Sequence, residues 1–318
     1  MKIYDCFTFF NELDLLDIRF NLLAPYVDYF VLVEAAQTHT GKEKNLLFKE
    51  NKAKYEKFLS QIIYVCVDDF PNADDPWVRE NYQRNAMARG LTNCSDEDII
   101  LISDCDEIPN PATINLLRRR GLDKLTIIPM FMCLYFVNFL NVTVPLWWRA
   151  KACTYAELKK TTPNKIRMKK FPMALSKKLE DNGSVQLGWH MSYLGGRDEI
   201  KEKMGAIAHQ EFNTKQYTSS THIEESIIKG TDIQGRNYKL RAMDSHMLLP
   251  DYIIKNYRRY IIDFDVLSDS DKAENTKLLM KLKSLSVRDI FVMHLRQIVV
   301  RIINRHRTKT KTIVRIHE

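Results

Sequence analysis

An acidic turn directly after an apolar run is the clearest candidate for chemistry in this sequence. Residues 99–102 are Ile-Ile-Leu-Ile, and Asp104, Asp106 and Glu107 follow them before Pro109. The unbroken apolar run predicts a strand buried on both faces, and the carboxyl ends of such strands hold ligands in open α/β sheets. Two aspartates two positions apart in extended chain point the same way, so both could bind one Mg²⁺ or Mn²⁺. A solvated acidic turn is the structural alternative.

The elements before this turn predict the sheet that must position it. Apolar runs at 1–10, 29–33 and 62–67 are predicted strands. A helix that begins at 11–14 follows the first of them, and a helix at 77–89 leads into the strand before the acidic turn. Strands that alternate with helices imply a largely parallel sheet. The length of 318 residues suits one large α/β domain with an appendage, or two modest domains.

One long uncharged segment could be mistaken for a membrane span. Residues 125–148 carry no charge over 24 positions, which is long enough to cross a bilayer. Pro129 and Pro145 would interrupt a helix, and Asn138 and Asn141 would lie in hydrocarbon. The aromatic and β-branched content instead predicts two buried strands joined by a turn.

The excess positive charge is concentrated at the C-terminal end. Residues 281–318 contain ten Lys or Arg against two acidic residues, a net of +8, which equals the net charge of the whole chain. Apolar side chains recur there at helical spacing, opposite arginines. The apolar set is Phe291, Leu295, Ile298, Ile302 and Ile303, and the arginines are Arg296, Arg301 and Arg305. Three interpretations stay open: an interfacial helix on an anionic membrane, an ordinary helix packed on the domain, and a nucleic-acid contact.

Cellular location is predicted from the N-terminus and the cysteines. Residues 1–10 lack the apolar region of a secretory signal. The six cysteines form no Cys-x-x-Cys pair, which favours a reducing compartment. With the basic tail, these features predict a cytoplasmic protein that is peripherally associated with the inner face of the membrane.

Ordered motifs along the chain resemble glycosyltransferase family 17, a family with an enzyme that adds N-acetylglucosamine to N-glycans through a β-1,4 bond. The resemblance covers residues 1 to about 260. It is carried by the segments Asn11–Phe20, Val27–Asp28, Phe30–Glu34, Asp104–Pro109, Gly188–Ser192 and Leu249–Tyr257.

This resemblance implies a GT-A-type nucleotide-sugar-binding fold and an inverting transfer from a UDP-sugar, most simply UDP-N-acetylglucosamine, to a saccharide acceptor. It implies Mn²⁺ or Mg²⁺ on Asp104 and Asp106, with His190 in a loop as a further ligand or phosphate contact. A structural histidine is the alternative for His190. Inversion also needs a general base, for which Glu211 is the candidate. The substitutes are Asp232, Glu224 and Glu225, and a solvated loop glutamate is the alternative for Glu211.

Several residues are candidates for contacts with the donor. Asn11 and Glu12 could touch the uridine, although a helix cap explains them too. Glu34 could contact the base or ribose, and Arg84 could pair with the diphosphate; both could instead form a buried ion pair. Trp147 and Trp148 could stack on an acceptor sugar or pack in the core.

The predicted organisation is a catalytic domain at 1–265 and a basic amphipathic helical tail at 266–318. Expected partners are a nucleotide sugar, a saccharide acceptor that includes lipid-linked forms, and an anionic membrane surface, without nucleic acid. Two other functions are alternatives. A nucleotidyl- or phosphoryltransferase would want a phosphate-cradling loop such as Gly-x-x-x-x-Gly-Lys, which the sequence lacks. A basic nucleic-acid-binding protein would need a cationic groove, which a neutral main body does not predict.

Overall fold

The computed structural model describes residues 1–169 and 175–296. Strands and helices alternate through the first part of the chain, as predicted. The strands are β1 Ile3–Phe9, β2 Tyr29–Ala35, β3 Ile62–Val67, β4 Ile99–Asp104, β5 Glu107–Ile108, β6 Thr126–Ile127, β7 Met130–Leu134, β8 Phe139–Asn141, β9 Leu146–Trp147, β10 Lys151–Thr154, β11 Glu180–Asp181, β12 Ser184–Val185, β13 Gly188–Ser192 and β14 Leu240–Ala242. The α-helices are α1 Leu13–Leu23, α2 Leu47–Glu50, α3 Pro76–Asn85, α4 Pro111–Arg120, α5 Tyr155–Leu158, α6 Pro163–Met168, α7 Arg197–Ala206, α8 Lys215–Thr218, α9 Ser220–Lys229, α10 Ser245–Leu248, α11 Asp251–Asn256 and α12 Asp269–Lys283. Short 3₁₀ segments lie at Lys52–Gln61, Ala86–Gly90, Lys177–Leu179, Gln210–Phe212, Arg258–Tyr260 and Phe264–Val266.

The first sheet is mainly parallel and has the strand order β3-β2-β1-β4-β10-β6. Its first four strands run parallel, and β10 pairs antiparallel with β4. Residues 99–102 are completely buried, because helices and loops cover both faces of this sheet, as the absence of alternation indicates. The prediction of an α/β protein with a mainly parallel sheet is confirmed.

A second sheet of short strands has the order β14-β8-β7-β13-β5, with β9 on β7. Its β7, β8 and β9, together with β6 of the first sheet, come from residues 125–148. The prediction of two strands there is wrong in number, since turns divide the segment into four. Within the described residues, no helix is long and apolar enough to cross a membrane.

One glycine allows strands β5 and β13 to lie directly side by side. A Cβ atom built on Gly188 would lie 2.4 Å from the main-chain oxygen of Ile108, closer than any real side chain tolerates. The glycine therefore lets β13 approach β5 directly, and the antiparallel pairing aligns His190 with Glu107. The prediction that His190 lies in a loop is wrong, since it is in the middle of β13.

The described part of the predicted tail packs on the rest of the protein. Helix α12 buries Leu279 and Leu282, and residues 287–296 are again helical. Leu285 and Ile290 are also buried in the main hydrophobic core. The amphipathic pattern of Ile298, Arg301, Ile302, Ile303 and Arg305 lies outside the described residues.

Candidate active site

A cleft lies where the connections of the first sheet change direction. The chain passes from β1 to β2 on one side, whereas β4 lies on the other side of β1. Ligands of open α/β sheets bind at the carboxyl ends of the strands at such a switch point. Thr8 of β1 is in register with Asp104 of β4, and Thr8 Oγ1 donates a hydrogen bond to Asp104 Oδ1 at 3.2 Å. The cleft above them has a volume of about 390 Å³, which is typical of a small-molecule site.

A buried arginine of α1 fixes the shape of the acidic turn. Arg19 is fully buried and forms an ion pair with Asp5 of β1 at 2.6 Å. Its Nη1 donates to the main-chain oxygens of Asp104 (3.1 Å), Cys105 (3.3 Å) and Glu107 (2.7 Å). Because three carbonyls point inward to one guanidinium, the turn is held in one conformation. Its two aspartate side chains are left lining the cleft.

Two arginines neutralise the first half of the acidic turn. Arg167 donates to Asp104 Oδ2 at 2.5 Å and to both carboxylate oxygens of Glu107, at 2.6 and 2.8 Å. Arg84 of α3 lies 3.3 Å from Asp104 Oδ1 and pairs with Glu80 at 2.9 Å. Both oxygens of Asp104 are thus engaged by cations, and Glu107 is a buried anchor for Arg167.

Asp106 faces a different set of groups. Lys203 of α7 places Nζ 2.9 Å from Asp106 Oδ2 and 3.1 Å from Glu12 Oε1. On the other side, His190 Nε2 lies 3.7 Å from Asp106 Oδ1, too far for a hydrogen bond. The ring of Trp147 stacks on His190 with 4.3 Å between centroids, and its Nε1 donates to Glu107. Asp106 therefore lies between a lysine and an imidazole.

The charges of this cluster are fixed at neutral pH. Burial raises the pKa of Asp104, but Arg167 and Arg84 outweigh it and hold that pKa well below its ordinary value. Burial also opposes ionisation of Asp106, yet the charge and hydrogen bond of Lys203 give it a net lowered pKa. Burial lowers the pKa of His190, which keeps the imidazole neutral. The pKa of Lys203 is raised, since Asp106 and Glu12 more than offset its burial.

The fit of a divalent metal differs between the predicted ligands. The described residues contain no group of three or more His, Cys, Asp or Glu side chains that could hold an ion. Asp104 has both oxygens bound to arginines. Asp106 and His190 fit better, because a neutral imidazole and a carboxylate are metal ligands and His190 Nε2 faces Asp106 Oδ1 at 3.7 Å. Mg²⁺ and Mn²⁺ commonly use one or two protein ligands and complete their shells with phosphate and water.

The residues predicted to contact the donor fall into two groups. Glu12 and Arg84 line the cleft, whereas Glu34 and Asn11 are not among its described lining residues. Glu34 is fully buried and accepts hydrogen bonds from the backbone N–H of Phe48 (2.9 Å), at the start of α2, and from the hydroxyl of Tyr64 (3.0 Å). Glu34 therefore tethers a helix to the sheet.

The candidate bases differ in access. Glu211 is 56% exposed and lies 2.6 Å from His209 Nδ1, and His209 lines the cleft. The side chain of Asp232 is fully buried, and both its oxygens pair with Arg236, at 2.8 and 2.7 Å. Arg236 itself lines the cleft, so Asp232 orients this arginine. The described surface ion pairs of Glu224 with Arg197 and of Glu225 with Lys229 use exposed side chains.

Lys203, Arg167 and Arg236 are cleft residues that the sequence reasoning missed. Lys203 is 97 positions from Asp106, and Arg167 is 63 from Asp104. No local motif marks them. A weak signal was available for Arg236, since Asp232 and Arg236 have the spacing of an ion pair.

Comparisons with known proteins identify the family of this chain. The model of the family described as "Glycosyltransferase family 17" matches residues 1–262. Over 107 residues the chain is 35% identical to the human and rat proteins named beta-1,4-mannosyl-glycoprotein 4-beta-N-acetylglucosaminyltransferase, and 34% identical to the mouse protein of that name. The matched stretch covers 31% of this chain and 20% of each relative. Because the family model covers most of the chain, this protein belongs to glycosyltransferase family 17 and is a glycosyltransferase.

Proposed function

We propose that this enzyme transfers N-acetylglucosamine from UDP-N-acetylglucosamine to a saccharide acceptor, forming a β-1,4 bond with inversion at the anomeric carbon in a GT-A-type fold. The observation that carries the proposal is the position of Asp106. It lies at the switch point of the mainly parallel sheet, between Lys203 and His190, in a chain that is similar to proteins named for transfer of this sugar.

The cations of the cleft suit a diphosphate leaving group. Breaking the bond between the sugar and UDP increases the negative charge on the leaving phosphate, and preorganised positive groups stabilise that charge. Lys203 lies at the cleft surface beside Asp106, while Arg84 and Arg167 line the wall around Asp104. Their carboxylate partners hold these cations in place before the donor binds.

A divalent ion, Mn²⁺ or Mg²⁺, is part of this proposal. Asp106 and His190 are the residues that would hold it. When bound, the ion would supply further positive charge to the diphosphate. Lys203 contacts only the Oδ2 atom of Asp106, whereas the Oδ1 atom faces His190.

Inversion requires one base that accepts the proton of the acceptor hydroxyl. Access favours Glu211 over Asp232, because the Glu211 carboxylate is exposed beside the cleft residue His209 whereas both oxygens of Asp232 are paired with Arg236. Burial raises the pKa of Glu211, but the hydrogen bond with His209 gives it a net lowered pKa. Glu211 is therefore ionised and able to accept a proton at neutral pH.

The acceptor in this proposal is a glycan or a lipid-linked saccharide at the cytoplasmic face of a membrane. Trp147 lines the cleft, and one of its faces is occupied by His190, so the opposite face is the candidate platform for a sugar. Trp148 is buried and packs on His294. The basic residues of 281–318 would supply the attraction to anionic lipid.

A donor panel tests this function. The full-length protein with Mn²⁺ is incubated with UDP-N-acetylglucosamine, UDP-glucose, UDP-galactose and GDP-mannose, and release of the nucleotide is measured. We expect UDP-N-acetylglucosamine to be cleaved fastest and Asp106→Asn to abolish cleavage. A preference for another sugar would correct the donor, and no cleavage of any donor, with or without saccharide acceptors, would contradict the function.

A further inference from the structure

The contacts of Gln83 show which ring nitrogen of His39 carries the proton and which one is free to accept a hydrogen bond. Gln83 Nε2 donates to the main-chain oxygens of Phe9 (3.5 Å) and Val33 (3.2 Å), so its amide oxygen must be the atom that lies 3.0 Å from His39 Nε2. An amide oxygen only accepts hydrogen bonds, and His39 Nε2 must therefore carry a proton. In a neutral imidazole the other nitrogen, Nδ1, is then a bare acceptor.

This acceptor is buried and has no partner. Within the described residues, His39 Nδ1 makes no hydrogen bond. Glu80 Oε2 lies 3.9 Å from it, and an ionised carboxylate can only accept. Burial lowers the pKa of His39, although Glu80 opposes the effect, so the ring is neutral near pH 7. His39 and Glu80 both line the cleft, and a ligand whose N–H group reached His39 Nδ1 would give this unpaired acceptor a partner.

The main chain holds His39 in place before any ligand arrives. Its backbone N–H donates to the carbonyl of Ala206 at 3.1 Å, and its own carbonyl accepts from Arg79 Nη1 at 3.2 Å. The adjacent Thr40 hydroxyl donates to the carbonyl of Gly205 at 3.2 Å. Because this acceptor is already held in position, little conformational entropy is lost when a ligand binds to it.

The position of His39 in the cleft indicates which part of a nucleotide it would meet. His39 follows β2, whereas Asp104 ends β4, and β1 lies between these strands. Two strand spacings amount to about 10 Å, which is the scale that separates a diphosphate from the far edge of its base. Phe10 and Trp77 line the cleft together with His39 and offer aromatic surface to a flat ring.

We propose that His39 Nδ1 accepts a hydrogen bond from the imide N–H of the donor's nucleobase and thereby selects uridine over cytidine nucleotides. The inference rests on the proposed function, because it assumes a nucleotide-sugar donor. Uracil carries a hydrogen atom on N3, whereas N3 of cytosine is an acceptor. Cytosine would therefore leave the His39 nitrogen and its own N3 unpaired, and buried sites reject such ligands strongly.

Calorimetric binding of three nucleotides to the full-length protein tests the inference. The ligands are UDP, CDP and UDP methylated on N3, which lacks the imide hydrogen. We expect the wild-type protein to bind UDP about 10-fold to 100-fold more tightly than either of the others, the range for leaving one buried acceptor unpaired. This comparison needs no substitution, so it holds even if a variant fails to fold.

Two variants connect the preference to this side chain. His39→Phe should weaken UDP binding about tenfold or more and bring the affinities for the three ligands together. Gln83→Leu leaves His39 in place but removes the amide oxygen that fixes the proton on Nε2. This variant should therefore show a smaller preference for UDP over CDP. His246→Phe makes the same change on an exposed helix outside the cleft lining and should bind all three ligands like the wild type.

The outcomes separate this inference from the proposed function. Equal binding of UDP, CDP and N3-methyl-UDP by the wild type would overturn the role of His39 and leave the transferase function standing. An equal loss of UDP and CDP affinity in His39→Phe would assign the contact to a ribose hydroxyl and would also overturn it. Failure of the wild type to bind any nucleoside diphosphate would contradict the proposed function itself.

Discussion

Lys203 Nζ lies 2.9 Å from Asp106 Oδ2, although the two residues are 97 positions apart in the chain. The contact places a lysine where the sequence predicted a metal ion. Both Lys203 and the proposed ion would therefore contact the Asp106 carboxylate. A divalent ion would share this carboxylate with Lys203 and would meet no group of three or more His, Cys, Asp or Glu ligands among the described residues, whereas the donor diphosphate can bind both the ion and the lysine. Metal binding should therefore depend on the nucleotide.

The first prediction concerns that dependence. In the wild type, Mn²⁺ alone should bind weakly and UDP should increase its affinity, since the diphosphate supplies ligands that the protein lacks. Asp106→Ala should abolish both transfer and UDP-dependent Mn²⁺ binding, as followed by the electron paramagnetic resonance signal of free Mn²⁺. Asp96→Ala removes an exposed carboxylate that pairs with Lys159 and serves as the control. Full activity of the wild type in excess EDTA would contradict the metal proposal.

Strands β1 to β4 were predictable because their signals are local, whereas the cations of the site were not. The apolar run 99–102 and the polar residues after it define β4 and its acidic turn without reference to the rest of the chain. Arg167 and Lys203 reach that turn only through the folded topology. Sequence pattern offers no rule for pairings over 60 to 100 positions.

Arg19 shows a second kind of limit. It lies on α1 next to the buried Ile18 and Phe20, and arginine is almost never fully buried unless it is paired. Its partners are Asp5 on β1 and the carbonyls of a turn 85 to 88 positions away. Helical periodicity places the residue on α1, but only the assembled sheet supplies the acceptors that make its burial possible.

The second prediction separates the candidate bases. Glu211→Gln should leave UDP affinity unchanged and lower turnover at saturating donor by about 10² or more, because the base acts on the acceptor proton. Asp232→Asn should instead weaken donor binding, since it releases Arg236 from its bidentate pair. Calorimetry with UDP and initial rates at saturating donor give the two quantities. If Glu211→Gln loses UDP affinity and keeps its turnover, Glu211 belongs to the donor site.

The third prediction concerns stability and pH. Burial, with repulsion from Arg167, lowers the pKa of Lys151 to about 7, against about 10.4 for an exposed lysine. Between these values the unfolded chain binds more protons than the folded one. This group therefore makes the folded state more stable as pH rises from 7 toward 10, by at most about 1.4 kcal/mol per pH unit.

Lys151→Met removes this titration. The free energy of unfolding of the variant, measured in urea at pH 7 and at pH 10, should rise less with pH than that of the wild type, or fall more. Lys159→Met, which changes a surface lysine, should keep the wild-type pH dependence. Identical pH dependence in wild type and Lys151→Met would show that Lys151 is charged throughout this range.

The last prediction concerns the C-terminal tail. One truncation tests its contribution to stability, and a second tests the contribution of its positive charge to membrane binding. Val287 and Ile290 are buried in the main core, so a chain that ends at Leu285 should be destabilised by about 2 to 5 kcal/mol or more, the scale of removing large core side chains.

A chain that ends at Arg296 keeps these contacts and removes six Lys or Arg of residues 297–318. Each is worth about 1 kcal/mol near an anionic surface. The Arg296 truncation should therefore retain the unfolding free energy and UDP affinity of the full chain, yet lose co-sedimentation with phosphatidylglycerol vesicles. Phosphatidylcholine vesicles are the control, and added salt should weaken binding of the full chain to the anionic vesicles. Undiminished vesicle binding by the Arg296 truncation would place the membrane contact elsewhere, and loss of its folded state would make the tail part of the core.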